Sequence, residues 1–153
     1  MPHYYSDSSA LVKLYVDEGG SDQMRRLRSD RSTALYTARV SAVEIAAAAF
    51  MRCRVGSLSR AAAQGVVSDS RGDSAERLNT IEVSASLADL AIALTERQPL
   101  RGYDAVQLAA ALQLQQLRRS LGHSDVTFVC GDARLGAAAV AEGLAAFDPS
   151  RPS

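Results

Sequence analysis

Cysteine is scarce. Cys53 and Cys130 are the only two in 153 residues, too few for a disulfide framework or a thiolate zinc cluster. His3 and His123 are the only histidines, and they lack the spacing of a metal motif. Neither sign of charge is in excess. Seventeen basic and 17 acidic residues leave a formal net charge of +0, so the global basic signature of a nucleic-acid-binding chain is missing, although a local patch is compatible with neutrality. Lysine is reduced to Lys13, and every other basic residue is arginine, a side chain suited to phosphate and planar recognition. No apolar run approaches the length of a membrane span, and no charged-then-apolar signal peptide opens the sequence. The expectation is a soluble cytoplasmic protein.

What is present is a large apolar fraction. At 47% hydrophobic the chain can bury a full core. Its length suits one domain, taken as residues 1–148 followed by a short polar tail, 149–153. The first informative stretch is Tyr4 to Leu14. His3 to Ser6 carry two aromatics suited to a strand. Ser8 or Ser9 is positioned to cap a following helix, and Leu11, Leu14 and Tyr15 fall on one apolar face. A second helix is expected from Ser21, with Met24 and Leu27 buried, and a second strand over Thr33 to Thr37. An Ala-rich helix follows from about Ser41 to Val55, closed by Gly56. Another runs from Ser59 to about Ser70. Leu78 to Val83 reads as a third strand, and a helix from Ser84 or Ser86 ends near Gln98-Pro99. A loop, Leu100 to Asp104, enters a long helix from Ala105 to about Leu117. Val126 to Cys130 is the fourth strand. An Ala-rich helix after Asp132 closes at Gly143, and Ala145 to Phe147 forms a short last strand. Strands alternating with helices imply an α/β fold with a parallel sheet covered on both faces.

Four acids occupy special places in that layout. Asp7 and Asp132 each end a strand and open a helix, while Glu44 and Asp104 are expected in the first turns of apolar helices. Parallel strands put their carboxyl ends on one sheet edge, where ligands bind in open α/β folds, so Asp7 and Asp132 meet if the first and fourth strands are neighbours. Each acid also has a local explanation. Asp7 and Asp132 suit turns or caps. Ser41-x-x-Glu44 has the letters of a capping box, and Asp104 suits a helix N-terminus, worth only about 0.3–1 kcal/mol. If the four converge, like charges within about 4–6 Å raise one another's pKa. A hard divalent ion relieves this, and all-oxygen ligands favour Mg²⁺ or Mn²⁺ over zinc.

Four stretches, in order, carry a resemblance: Tyr5 to Leu14, Ser41 to Ile45, Leu100 to Ala111, and Val126 to Leu135 with Glu142-Gly143-Leu144 behind it. The chain resembles PIN-domain ribonucleases, specifically VapC-like toxins of bacterial type II toxin–antitoxin systems. The resemblance spans nearly the whole sequence. It implies a three-layer α/β/α sandwich around a mostly parallel sheet and an Mg²⁺- or Mn²⁺-dependent endoribonuclease leaving a 5′-phosphate and a 3′-hydroxyl. Asp7 and Asp104 match the principal metal ligands, and Glu44 and Asp132 match the acids that complete the site and orient water. Ser9 matches a hydroxyl residue supporting the first acid. Many relatives carry Ser or Thr where this chain has Cys130, and a thiol is a weaker hydrogen-bond donor, so support of Asp132 is open at this point. The resemblance also implies a small antitoxin partner and a homodimer.

Arg39, Arg101 and Arg134 lie close in sequence to Glu44, Asp104 and Asp132 and are candidates to hold an RNA backbone. An antitoxin arginine filling the acid pocket, with the rest of the partner on an apolar groove near Leu11, Leu14 and Tyr15, is the expected mode of inhibition; core packing is the competing role for those three. Rival assignments fare worse. A haloacid dehalogenase-type phosphoaspartyl enzyme wants an Asp at the position of Ser9, and a response-regulator receiver wants a late strand-end Lys, whereas Lys13 lies in the first helix. A PIN nuclease of RNA processing without an antitoxin, or a non-catalytic binding PIN module, remains the alternative function.

Overall fold

The structure, a computed structural model, describes residues 1–151. Of the expected polar tail, residues 152–153 lie outside the described residues. The chain runs β1 (His3–Ser6), α1 (Ser8–Leu11) continuing into one 3₁₀ turn (Val12–Leu14), α2 (Ser21–Ser29), β2 (Ala34–Ala38), α3 (Val40–Arg54) and α4 (Arg60–Glu76). It continues with β3 (Asn79–Ile81), α5 (Ala85–Arg97), α6 (Gly102–Ser120), β4 (Val126–Val129), α7 (Ala133–Ala141) and β5 (Ala145–Phe147). The five strands pair in parallel in the order β3-β2-β1-β4-β5. The sheet therefore grows one way from β1 to β2 and β3, and the other way to β4 and β5. The strand order reverses at β1 and β4, where α/β folds open a crevice.

Successive strand residues point to opposite faces, and the core divides accordingly. Tyr5 and Phe128, partners in the β1–β4 register, stack at 5.6 Å. They pack with Leu87 and Leu94 of α5, Leu108 of α6 and Leu135 of α7. On the other face Leu35 and Val129 pack with Leu11, Met24, Ile45 and Val66, from the first four helices. The result is a three-layer α/β/α sandwich.

Several boundaries differ from the sequence expectation. The fourth helix runs on to Glu76 rather than ending near Ser70. Its last turns are held from outside, because Asp73 accepts from Tyr15 Oη at 2.9 Å and Arg28 Nη1 at 2.8 Å. Leu11 and Leu14 are buried core, and Tyr15 is half-buried, so core packing is the role of at least two of the three. The third strand shortens to three residues at the sheet edge, where only β2 pairs with it. The sixth helix starts three residues earlier than expected, at Gly102. Ser21 begins α2 but does not cap it. Gly20 holds that position at φ +92°, and a Cβ there would sit 2.8 Å from the Pro149 backbone.

Core and surface positions on α6 give a direct test. Leu108 is fully buried and Leu117 is exposed. Leu108→Ala is expected to cost about 2–5 kcal/mol, and Leu117→Ala to stay within about 0.5 kcal/mol, as read by urea denaturation.

Candidate functional site at the carboxyl edge of the sheet

The β1–β4 register places Ser6 opposite Val129, and the next amide, Asp7 N, donates to Val129 O at 3.2 Å. Asp7 thus leaves the sheet beside Cys130. The cap of α1 is Asp7 itself rather than Ser8 or Ser9: its carboxylate accepts from Ala10 N at 3.1 Å. Ser9 is instead free to brace that carboxylate. Its hydroxyl lies 2.8 Å from both Asp7 oxygens and accepts from Gly131 N at 2.9 Å, tying the ends of the two strands together.

Cys130 follows β4 directly and is buried. Its Sγ donates to Asp7 Oδ2 at 3.3 Å and accepts from Asp132 N at 3.3 Å. The thiol therefore joins the Asp7 carboxylate to the backbone of Asp132, while the Asp132 carboxylate takes its bonds from the first amides of α7. Burial, reinforced by the Asp7 charge, pushes the thiol pKa well up, which keeps the proton it donates. Asp132 caps α7, accepting from Arg134 N at 2.9 Å and Leu135 N at 3.3 Å.

Glu44 is held differently from the expectation. The third helix starts at Val40, so Glu44 lies beyond its first turn, and Arg39 holds the cap position without a side-chain bond. The Ser41-x-x-Glu44 capping box does not form. Ser41 Oγ pairs instead with Thr37 Oγ1 at 2.7 Å, and Gln107 Nε2 donates at 2.8 Å both to Ser41 Oγ and to Glu44 Oε1. Gln107 Oε1 in turn accepts from the buried Tyr5 hydroxyl at 2.6 Å. Gln107 is thus the hub that orients Glu44, a role sequence reasoning missed. The available signal was an amide within an apolar helical run, three residues after Asp104 and hence on its face.

Glu44, Asp104 and Asp132 line one cavity of about 1050 Å³, together with Arg101, Tyr103 and Arg134. Asp7 is not on its lining but is buried nearby. Arg39, the third arginine candidate, pairs with Glu82 on an exposed surface and is likewise not on the lining. The acids influence one another in sequence. Burial raises the Asp7 pKa to about 6, opposed by its Ser9, Ala10 and Cys130 bonds and reinforced by Glu44. Burial also raises Glu44, reinforced by Asp104, and raises Asp104, reinforced by Asp132 and opposed by Arg101 and Arg134.

Among the described residues no three His, Cys, Asp or Glu side chains are gathered closely enough to hold a metal ion. Asp7, Glu44 and Asp132 each accept hydrogen bonds from protein donors, and Glu44, Asp104 and Asp132 are spaced along the cavity wall. Their chemistry still fits a hard cation. The donors are all oxygen, which suits Mg²⁺ or Mn²⁺, and burial, with a smaller like-charge contribution, raises the pKa of Asp7, Glu44 and Asp104, which a nearby cation would oppose. Asp7, Glu44, Asp104 and Asp132 are the residues able to contribute.

No family model and no curated protein sequence matches the chain. Solved structures do. PAE2754 from Pyrobaculum aerophilum is similar at TM-score 0.64 and 19% identity, over 97% of this chain and 90% of that one. A toxin–antitoxin complex from Klebsiella pneumoniae matches at TM-score 0.60 and 18% identity, over 95% of this chain and 97% of its counterpart. VapC20 from Mycobacterium tuberculosis, a sarcin–ricin loop cleaving toxin, matches at TM-score 0.60 and 16% identity, over 92% and 95%. The likeness is one of fold: the chain has the PIN-like sandwich of these proteins.

Two outcomes follow from the buried acid and its neighbours. The folded Asp7 pKa of about 6 lies above its ordinary 3.8, so protonation favours the fold. Stability is then full below the unfolded pKa and is lost as pH rises through the folded one, by up to about 3 kcal/mol. In chelator, thermal melts should show higher stability at acidic pH than at neutral pH, and Asp7→Asn should flatten that dependence. Gln107→Leu leaves the Tyr5 hydroxyl and Ser41 short of a partner and should cost about 1–3 kcal/mol in the same melts.

Proposed function

We propose that the chain is a metal-dependent endoribonuclease acting as the toxin of a toxin–antitoxin pair. The observation that carries this reading is the cavity at the carboxyl edge, where three acids and two arginines share one wall and the strand-end Asp7 is buried beside it. A cavity of acids alone repels a polyanion. Arg101 and Arg134 supply the cationic donors that phosphate needs, and both stand close enough to Asp104 to oppose the rise in its pKa. Bound Mg²⁺ or Mn²⁺ would activate water and neutralise charge on the phosphodiester.

In this reading Asp7 and Asp104 are the principal metal ligands, and Glu44 and Asp132 complete the site and orient water. Ser9 and Cys130 hold Asp7, and Gln107 holds Glu44. RNA as substrate is supported by the shared fold with a toxin that cleaves the sarcin–ricin loop. A protein partner is supported by the fold shared with the chain of a solved toxin–antitoxin complex. That partner is a small antitoxin, and the nuclease itself is a cytoplasmic homodimer. An arginine of the antitoxin entering the cavity would pair the carboxylates bidentately and shut the site with one contact. No helix among the described residues is long and apolar enough to cross a membrane.

Purified protein should cut RNA with Mg²⁺ or Mn²⁺ and stop in excess chelator. Asp7→Asn should lose more than the ~10–100-fold typical of residues that only support a ligand. Undiminished cutting in chelator would sink the metal mechanism. Co-expression with the product of the gene immediately upstream should yield a stable, inactive complex. An active nuclease that forms no such complex would be one of RNA processing.

A further inference from the structure

The cavity has more to it than the acids use. Its volume of about 1050 Å³ is at the upper end of small-ligand pockets, which run about 300–1,000 Å³. Hydrolysis at the carboxylates requires space for a phosphodiester, and a second part of the wall is apolar: Pro99, Tyr103, Val106 and Ala133. Tyr103 stands out in that group. It is 55% exposed. The Tyr5 and Tyr15 hydroxyls are anchored to Gln107 and Asp73, but among the described residues Tyr103 has no hydrogen-bond partner and no partner ring. Its neighbour in the chain is Asp104, and the residue two positions before it is Arg101. Neither Arg101 nor Arg134 is in an ion pair among the described residues. A half-exposed tyrosine therefore lines the same cavity as three acids and two arginines outside any ion pair.

We infer that Tyr103 is a stacking platform for one unpaired nucleobase beside the phosphodiester that is cut. The inference rests on the nuclease reading above and assigns one further residue to substrate binding. A phosphate bound by Arg101 or Arg134 shares the cavity with the apolar wall that Tyr103 belongs to, and every base has a π-face that an aromatic ring accepts. In an A-form duplex the bases are stacked inside and cannot reach such a ring, whereas loops and single strands splay them out. The site thus takes RNA whose base next to the scissile bond is unstacked. Stacking tolerates all four bases, so Tyr103 selects unpaired over paired RNA, and base identity is read elsewhere.

The test uses the whole protein in Mg²⁺ and short single-stranded RNAs of mixed sequence. Each carries 2-aminopurine at a different position, and each is compared with the same RNA annealed to its complement. Stopped-flow mixing records fluorescence quenching before cutting. At one position wild type and Tyr103→Phe should quench, Tyr103→Ala should not, and the duplexes should not respond. Because stacking holds substrate and transition state alike, Tyr103→Ala should raise KM about tenfold or more with kcat nearly unchanged, while Tyr103→Phe stays near wild type. Equal quenching and KM in Tyr103→Ala would overturn the platform and leave the nuclease reading standing, as would a Phe variant as impaired as Ala, since the hydroxyl rather than the ring would then matter. A Tyr103→Ala protein that cuts normally but no longer copurifies with the upstream gene product would assign the ring to a protein interface instead. Wild type that neither quenches nor cuts any of these RNAs would overturn both readings.

Discussion

The parallel pairing of β1 with β4 is the constraint on which the site depends. With Ser6 opposite Val129, Asp7 and Cys130 leave the sheet side by side. The rest follows over a few bonds: the thiol reaches Asp7, the Asp132 amide reaches the thiol, and Ser9 joins Asp7 to Gly131. A shift of one residue would turn Tyr5 and Phe128 out of one core layer and Val129 out of the other. Burial of those side chains therefore sets the register, and the register sets the distance between the first and fourth acids.

A second polar network does the corresponding work for Glu44. Tyr5, Gln107, Ser41 and Thr37 form a buried chain of hydrogen bonds that starts in the central strand and ends at the cavity wall. Each member is satisfied, so the network specifies one arrangement rather than imposing an unpaired group. Its cost is borne by the acids. Burial and like charge raise the pKa of Asp7, Glu44 and Asp104, and the protein meets this with hydrogen bonds and two nearby arginines rather than with direct ion pairs.

Much of this was legible in the residues. Alternating strand and helix patterns place five strands and seven helices in the right order, because periodicity reports which face is buried. Asp7 and Asp132 stand at strand ends, and that position is enough to put them on one edge of a parallel sheet. Other features were not legible. Ser41-x-x-Glu44 has the letters of a capping box, yet Thr37 and Gln107 compete for the serine and win. Arg39 and Arg134 look equivalent by sequence distance, yet Glu82 occupies one and the cavity receives the other.

The sequence by itself determined the α/β class, the order of its elements, the chemical identity of the four acids and the placement of Asp7, Asp104 and Asp132 at helix starts or strand ends. These depend on local propensity and on the period of apolar residues, both of which are written in the chain. Only the tertiary structure decided that Asp7 is buried while the other three acids line the cavity, that Cys130 bridges Asp7 and Asp132, and that Gln107 orients Glu44. Those relations join residues up to 123 positions apart, and hydrogen-bond partners at that separation are chosen by packing and register, which no local pattern encodes.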